Sequence, residues 1–126
     1  MDRACRRILV VDDDLDTCAL IVDVLSGENY SICSCMGGEQ ALDLLDHENF
    51  DLVLADIKMP RITGLDLLQY VRETSRDTKV ILMTAYASID TAIQAVRHDA
   101  SDYLVKPFSL KELRRRVRDA LSDEVE

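Results

Sequence analysis

The sequence has no apolar run approaching the roughly 20 residues that carry a helix across a bilayer, so no membrane span is expected. Its start, Met1 to Arg7, is too polar and too short for a secretory signal, which makes the cytoplasm the expected compartment. Positive charge is in deficit: 15 Lys and Arg stand against 24 Asp and Glu, for a formal net charge of −9. Nucleic-acid backbones are bound by neutralising their phosphates and releasing counterions, so direct nucleic-acid binding by this chain is not expected. Low-complexity stretches and solenoid-type repeats are also missing. Cysteine is present only as Cys5, Cys18, Cys33 and Cys35. A reducing compartment and an adequate core favour free thiols, buried or inert, over a disulfide framework. Cys33 and Cys35 would share one face of a strand, but no second ligand pair accompanies them, so apolar packing is the better reading than a metal site.

What remains is the composition of an ordinary soluble domain: 126 residues, 48% of them hydrophobic and 31% charged. That length suits one core. Residues 1–122 are expected to form one domain, with 123–126 a tail or the start of a linker; the stretch Ser122 to Glu126 is too short for an output module of its own.

Ile8-Leu9-Val10-Val11 is a short unbroken apolar run with β-branched members, the pattern of a strand buried on both faces. From Asp14, a suitable helix cap, Leu15, Cys18, Ala19, Val22 and Leu25 recur at helical spacing. The alternation continues with Tyr30 to Cys35 as strand, Gly38 to His47 as helix and Leu52 to Ala55 as strand. Leu65, Leu68 and Val71 then mark a helix, Val80 to Met83 a strand, and Ile89, Ile93 and Val96 a further helix. Tyr103 to Val105 reads as the last strand. Ser109-Leu110-Lys111-Glu112 has the form of a capping box opening a final helix through Leu113, Val117 and Leu121. Parallel neighbours need crossover connections, and right-handed crossovers place helices on both faces. Five strands alternating with five helices therefore predict a doubly wound α/β domain with a five-stranded parallel sheet.

In such sheets the site lies beyond the carboxyl ends of the strands, where the strand order reverses. The first strand ends in Asp12-Asp13, the third in Asp56, the fourth in Thr84 and the fifth in Lys106-Pro107. Three carboxylates collected in one pocket repel one another unless a cation neutralises them. With only oxygen ligands in these loops, the cluster favours a hard ion such as Mg²⁺, which keeps several waters and pairs with phosphoryl groups. Thr84 can donate a hydrogen bond to such a group and Lys106 can neutralise it. The implied chemistry is phosphoryl transfer, which needs mainly positioning and charge neutralisation.

Four segments in order, Ile8 to Asp14, Asp56-Ile57-Lys58-Met59-Pro60 through Gly64, Met83-Thr84-Ala85, and Tyr103-Leu104-Val105-Lys106-Pro107-Phe108, resemble the receiver family of response regulators. The resemblance covers nearly the whole chain and brings with it a flavodoxin-like strand order, 2-1-3-4-5. It implies a signalling switch in which Asp56 takes a phosphoryl group from a sensor histidine kinase or phosphotransfer protein and becomes an aspartyl phosphate. It also implies that Asp13 and Asp56 bind Mg²⁺ directly, that Asp12 acts mainly through water, and that the Lys58 carbonyl is a further ligand. Thr84 and Lys106 would hold the phosphoryl oxygens, and the Lys106–Pro107 bond would be cis. Movement of Thr84 toward the phosphoryl group would be coupled to rotation of Tyr103, remodelling the last helix, strand and helix to regulate an output such as transcription. Met83 to Val117 is similar to receivers attached to AAA+ activators of the alternative sigma factor.

Other residues have plainer readings. Asp14 is a cap, His47 and His98 are surface residues near helix ends, and Arg114 to Arg118 form a solvated face or contribute to a homodimer through the last helix. Asp99 stands where receivers carry glycine, a helix-ending left-handed position that Asp tolerates only moderately. Tyr86 is placed to shield the acyl phosphate from water. Two rival functions have discriminators. Asp12-Asp13-Asp14-Leu15-Asp16-Thr17 superficially resembles the Asp-x-Asp motif of haloacid-dehalogenase-type phosphohydrolases, but Asp16 occupies the place of that family's Thr or Val, and no acidic pair at a strand end follows Lys106. A receiver that binds partners without phosphorylation would leave Asp56 unmodified by a small acyl-phosphate donor.

Overall fold

The computed structural model describes residues 5–75 and 77–122. Strands and helices alternate from end to end: β1 (Arg6–Val11), α1 (Leu15–Leu25), β2 (Tyr30–Cys35), α2 (Gly38–His47), β3 (Leu52–Asp56), α3 (Gly64–Thr74), β4 (Lys79–Thr84), α4 (Ile89–Arg97), β5 (Asp102–Val105) and α5 (Leu110–Leu121). All strand pairs are parallel, and the sheet order is β2-β1-β3-β4-β5. This is the doubly wound α/β architecture expected. Residues 123–126, assigned above to a tail or linker, lie outside the described residues.

Strand side chains alternate between faces, so the unbroken apolar runs divide between two cores. Leu9, Val11, Val53, Ala55, Val80 and Leu82 pack with Ala41, Leu67, Leu68, Val71 and Ala95 from α2, α3 and α4. Ile8, Val10, Leu52, Leu54, Ile81 and Met83 face the other way, onto Cys18, Ile21, Leu25, Leu113, Val117 and Leu121 from α1 and α5. All five residues of β3 are buried, as befits the central strand. Cys33 and Cys35 do share a face, both packing in the first of these cores, and all four cysteines are free thiols.

Three local expectations need correction. In α1 the buried face is Cys18, Ile21, Val24 and Leu25, while Leu15 and Ala19 are exposed, because the stripe that packs on the sheet begins at Cys18. Cys5 is exposed, its Sγ 3.5 Å from the Asn29 carbonyl oxygen. At α5 the capping box is half made: Ser109 Oγ accepts the Glu112 N–H at 3.0 Å, but the Glu112 carboxylate turns to Arg115 and Arg116. Reciprocal boxes occur instead at Thr63/Asp66 on α3 and Ser88/Thr91 on α4. Asp14 does cap α1, accepting the Asp16 N–H at 3.2 Å and the Thr17 hydroxyl at 2.9 Å.

The α4 terminus explains Asp99. Ala100 N–H reaches the Ala95 carbonyl at 2.9 Å and Asp99 N–H the Val96 carbonyl at 3.1 Å, the paired bonds of a Schellman motif. Its left-handed position is occupied by Asp99, with φ 63°. An L-residue pays a steric penalty there that glycine avoids, partly offset by glycine's larger unfolded-state entropy. Asp99→Gly is therefore expected to stabilise the domain by about 0.5 kcal/mol, seen as a higher urea midpoint; a lower midpoint would contradict this account of the turn.

Candidate phosphoryl-accepting site

Sheet register brings the site together. Val11 pairs with Ala55, Asp56 with Met83, and Thr84 with Val105, so Asp12, Asp56, Thr84 and Lys106 emerge near one edge of the sheet. Buried polar side chains are costly unless bonded, and three of the four among the described residues are here: Asp12, Asp56 and Thr84. The fourth, Thr78, lies apart and donates to the Phe50 carbonyl oxygen.

Lys106 supplies the bonding. Its Nζ donates to Asp12 Oδ2 at 2.8 Å and to Asp56 Oδ2 at 3.0 Å. Each carboxylate uses its other oxygen locally, Asp12 Oδ1 accepting the Asp14 N–H at 2.9 Å and Asp56 Oδ1 the Lys58 N–H at 3.1 Å. Cys18 Sγ lies 3.3 Å from the Asp12 carbonyl oxygen, behind the acidic end of β1. The Lys106–Pro107 bond is cis. Asp13 joins from the exposed side, and one carboxylate oxygen from each of Asp12, Asp13 and Asp56 lies within 4.8 Å of the others. Among the described residues this is the one cluster of three or more candidate metal ligands; Cys33 and Cys35 form none.

The electrostatics follow from the packing. Burial raises the pKa of Asp56; the Lys106 hydrogen bond opposes the rise and the adjacent Asp12 charge adds to it. Burial alone would lower the pKa of Lys106, but its bonds to Asp12 and Asp56 outweigh that and raise it. Three ionised carboxylates against one ammonium leave two negative charges. An all-oxygen donor set with that excess fits a hard divalent cation.

Other expected site residues are present but differently engaged. Thr84 Oγ1 accepts the Tyr86 N–H at 2.9 Å at the end of β4. Tyr86 is 70% exposed, and Lys58 Nζ stands 5.4 Å from its ring centroid, within cation–π range. The Tyr103 hydroxyl lies 2.6 Å from Thr91 Oγ1 on α4. Sequence reasoning did not single out Thr91, although the pattern Ser88-x-x-Thr91 was a signal for a helix start. Gly64 closed one of the segments that carried the resemblance, but its steric role was not read from the sequence. A Cβ there would lie 2.5 Å from the Asp56 carbonyl oxygen, so only glycine lets the start of α3 lie this close to the Asp56 backbone.

Residues 8–118 match the response regulator receiver domain family, and the chain belongs to that family. Its members are the phosphoacceptor modules of two-component signalling, phosphorylated by sensor histidine kinases, and receivers generally bind Mg²⁺ in an acidic pocket. The chain is 38% identical over 115 residues to transcriptional regulatory protein ZraR of Klebsiella oxytoca, covering 91% of this chain and 26% of that protein. It is 40% identical over 116 residues to response regulator protein PilR of Pseudomonas aeruginosa, covering 92% and 26%. With transcriptional regulatory protein CpxR of Escherichia coli it shares 41% over 115 residues, covering 91% and 49%. The chain thus spans about a quarter to a half of the length of these relatives. A CheY-like receiver domain protein from Methanospirillum hungatei superimposes with TM-score 0.90 at 29% identity, covering 94% of each chain.

Removing the ammonium should expose the cost of this cluster. Lys106→Met is expected to destabilise the metal-free domain by about 3 kcal/mol, since it strands a fully buried carboxylate, with part of the loss recovered in MgCl₂. Urea unfolding checks this; a midpoint unaffected by both the substitution and the salt would contradict it.

Proposed function

We propose that Asp56 is the phosphoacceptor of this receiver and that its modification switches the surface formed by α4, β5 and α5 to regulate transcription. The observation that carries the reading is the Lys106 ammonium shared by Asp12 and Asp56 in an oxygen-lined pocket at the strand ends. One Asp56 carboxylate oxygen attacks the phosphorus of a phosphohistidine on a sensor kinase or phosphotransfer protein. The new P–O bond forms as the P–N bond breaks, and the histidine nitrogen leaves with the electron pair. Mg²⁺, held by Asp12, Asp13, Asp56 and the Lys58 carbonyl, would neutralise the charge on the phosphoryl oxygens. Lys106 exchanges its hold on Asp56 for a phosphoryl oxygen, and the Thr84 hydroxyl donates to another. Tyr86 shields the acyl phosphate from water.

The chain is a switch that promotes its own phosphorylation and dephosphorylation; it is not an enzyme that turns over outside phosphoesters. Phosphorylation shifts a population, favouring the form it binds better. Ile89, Ile93, Val96 and Val105 are exposed on the α4–β5–α5 face, which supports a homodimer formed there. The net charge of −9 argues against direct DNA binding by this chain. No helix among the described residues is long and apolar enough to cross a membrane.

Incubation with acetyl phosphate and MgCl₂ is expected to add one phosphoryl mass to the wild type and none to Asp56→Asn, with the gain abolished by EDTA. Intact-mass spectrometry reads all three. Equal gain in Asp56→Asn would overturn the assignment.

A further inference from the structure

Tyr103 sits half-buried on β5, and its hydroxyl ends on the capping box that starts α4. Thr91 Oγ1 lies 2.6 Å from the Tyr103 hydroxyl, accepts the Ser88 N–H at 3.3 Å and lies 3.2 Å from the Ser88 carbonyl oxygen. Ser88 Oγ in turn accepts the Thr91 N–H at 3.1 Å. One hydroxyl can donate once and accept twice. Ser88 Oγ also lies 3.1 Å from Thr91 Oγ1, so four polar neighbours surround an oxygen that can serve three, and the Tyr103 hydroxyl at 2.6 Å is the nearest of them.

This contact falls on a lightly held helix. Within α4 only Ala95 is buried, while Ile89 is 80% and Val96 81% exposed. A nine-residue helix is too short to persist on its own, and a single buried side chain contributes little packing. The far end is fixed by the Schellman bonds, so the first turn depends on its cap and on whatever the cap touches.

We propose that Thr91 is a positioning residue of the switch: its hydroxyl ties Tyr103 to the first turn of α4, so displacement of Tyr103 on phosphorylation of Asp56 loosens the start of that helix. The proposal rests on the phosphoacceptor reading above for its trigger, but the tie itself is a property of the unphosphorylated chain. Losing one hydrogen bond from a locally opening turn speeds amide exchange there by about fivefold.

Hydrogen exchange over residues 88–93 tests it in wild type, Tyr103→Phe, Thr91→Val and Thr91→Ser, with intact mass recording phosphoryl occupancy on the same samples. In the unphosphorylated state Tyr103→Phe should exchange about fivefold faster than wild type, Thr91→Val at least as fast because it also loses the cap, and Thr91→Ser like wild type. Phosphorylation should accelerate exchange in wild type and add nothing in Tyr103→Phe. Wild-type exchange in unphosphorylated Tyr103→Phe would overturn the proposal. So would equal acceleration by phosphorylation with and without the tyrosine hydroxyl. A missing mass gain would count against Asp56 as the acceptor, whereas the unphosphorylated comparison decides the tie regardless.

Discussion

The Lys106 ammonium shared between Asp12 and Asp56 is the interaction on which the rest of the site depends. Asp12 is fully buried and Asp56 nearly so, and two adjacent carboxylates in that setting repel each other and lose hydration. A cation within hydrogen-bond reach of both makes the arrangement tenable, and it comes from the end of β5, because the nearby Lys58 and Arg61 turn to the Tyr86 ring and to Glu39 instead. The parallel sheet solves this by aligning strand ends. β1 and β3 are neighbours, which sets Asp12 beside Asp56, and β5 returns on the same edge with Lys106. The remaining negative charge, with Asp13 at the rim, is what a divalent cation would balance, and an incoming phosphoryl group, itself anionic, adds to that need.

The two layers around the sheet are unequal. α1 and α5 bury continuous apolar stripes, and α3 does the same on the opposite face. α4 buries a single alanine and is held mostly at its ends, by the Ser88/Thr91 box and by the turn through Asp99. Elements that rearrange are drawn from the least stable part of a fold. A helix fixed by a few polar bonds can respond to a small change in the pocket while the two cores stay intact. Arg116, bonded to both Asp102 and Glu112, links β5 to α5 on this same side, so it is not the freely solvated residue that the basic run suggested.

Strand positions were legible because doubly buried runs such as Ile8 to Val11 and Leu52 to Ala55 have few other uses, and the site followed from reading the polar residues just past them. Asp99 was legible as a left-handed position only through the resemblance, because it stands where receivers carry glycine. The α4 stripe Ile89, Ile93 and Val96 was correctly helical, yet periodicity marks an apolar face without saying what covers it, and here much of it faces solvent. Leu15 misled in the same way. Side-chain partners were beyond sequence: Glu112 had two basic residues within one turn and chose them over its cap, and the meeting of Tyr103 with Thr91 depends on how β5 and α4 pack.

The most direct measurement is reductive trapping of the phosphorylated chain with borohydride, which converts an aspartyl phosphate to homoserine, followed by peptide mapping. The account predicts homoserine at position 56 and nowhere else. Homoserine at Asp12 or Asp13 instead would contradict it, because the carboxylate bridged by Lys106 to Asp12 would then not be the nucleophile.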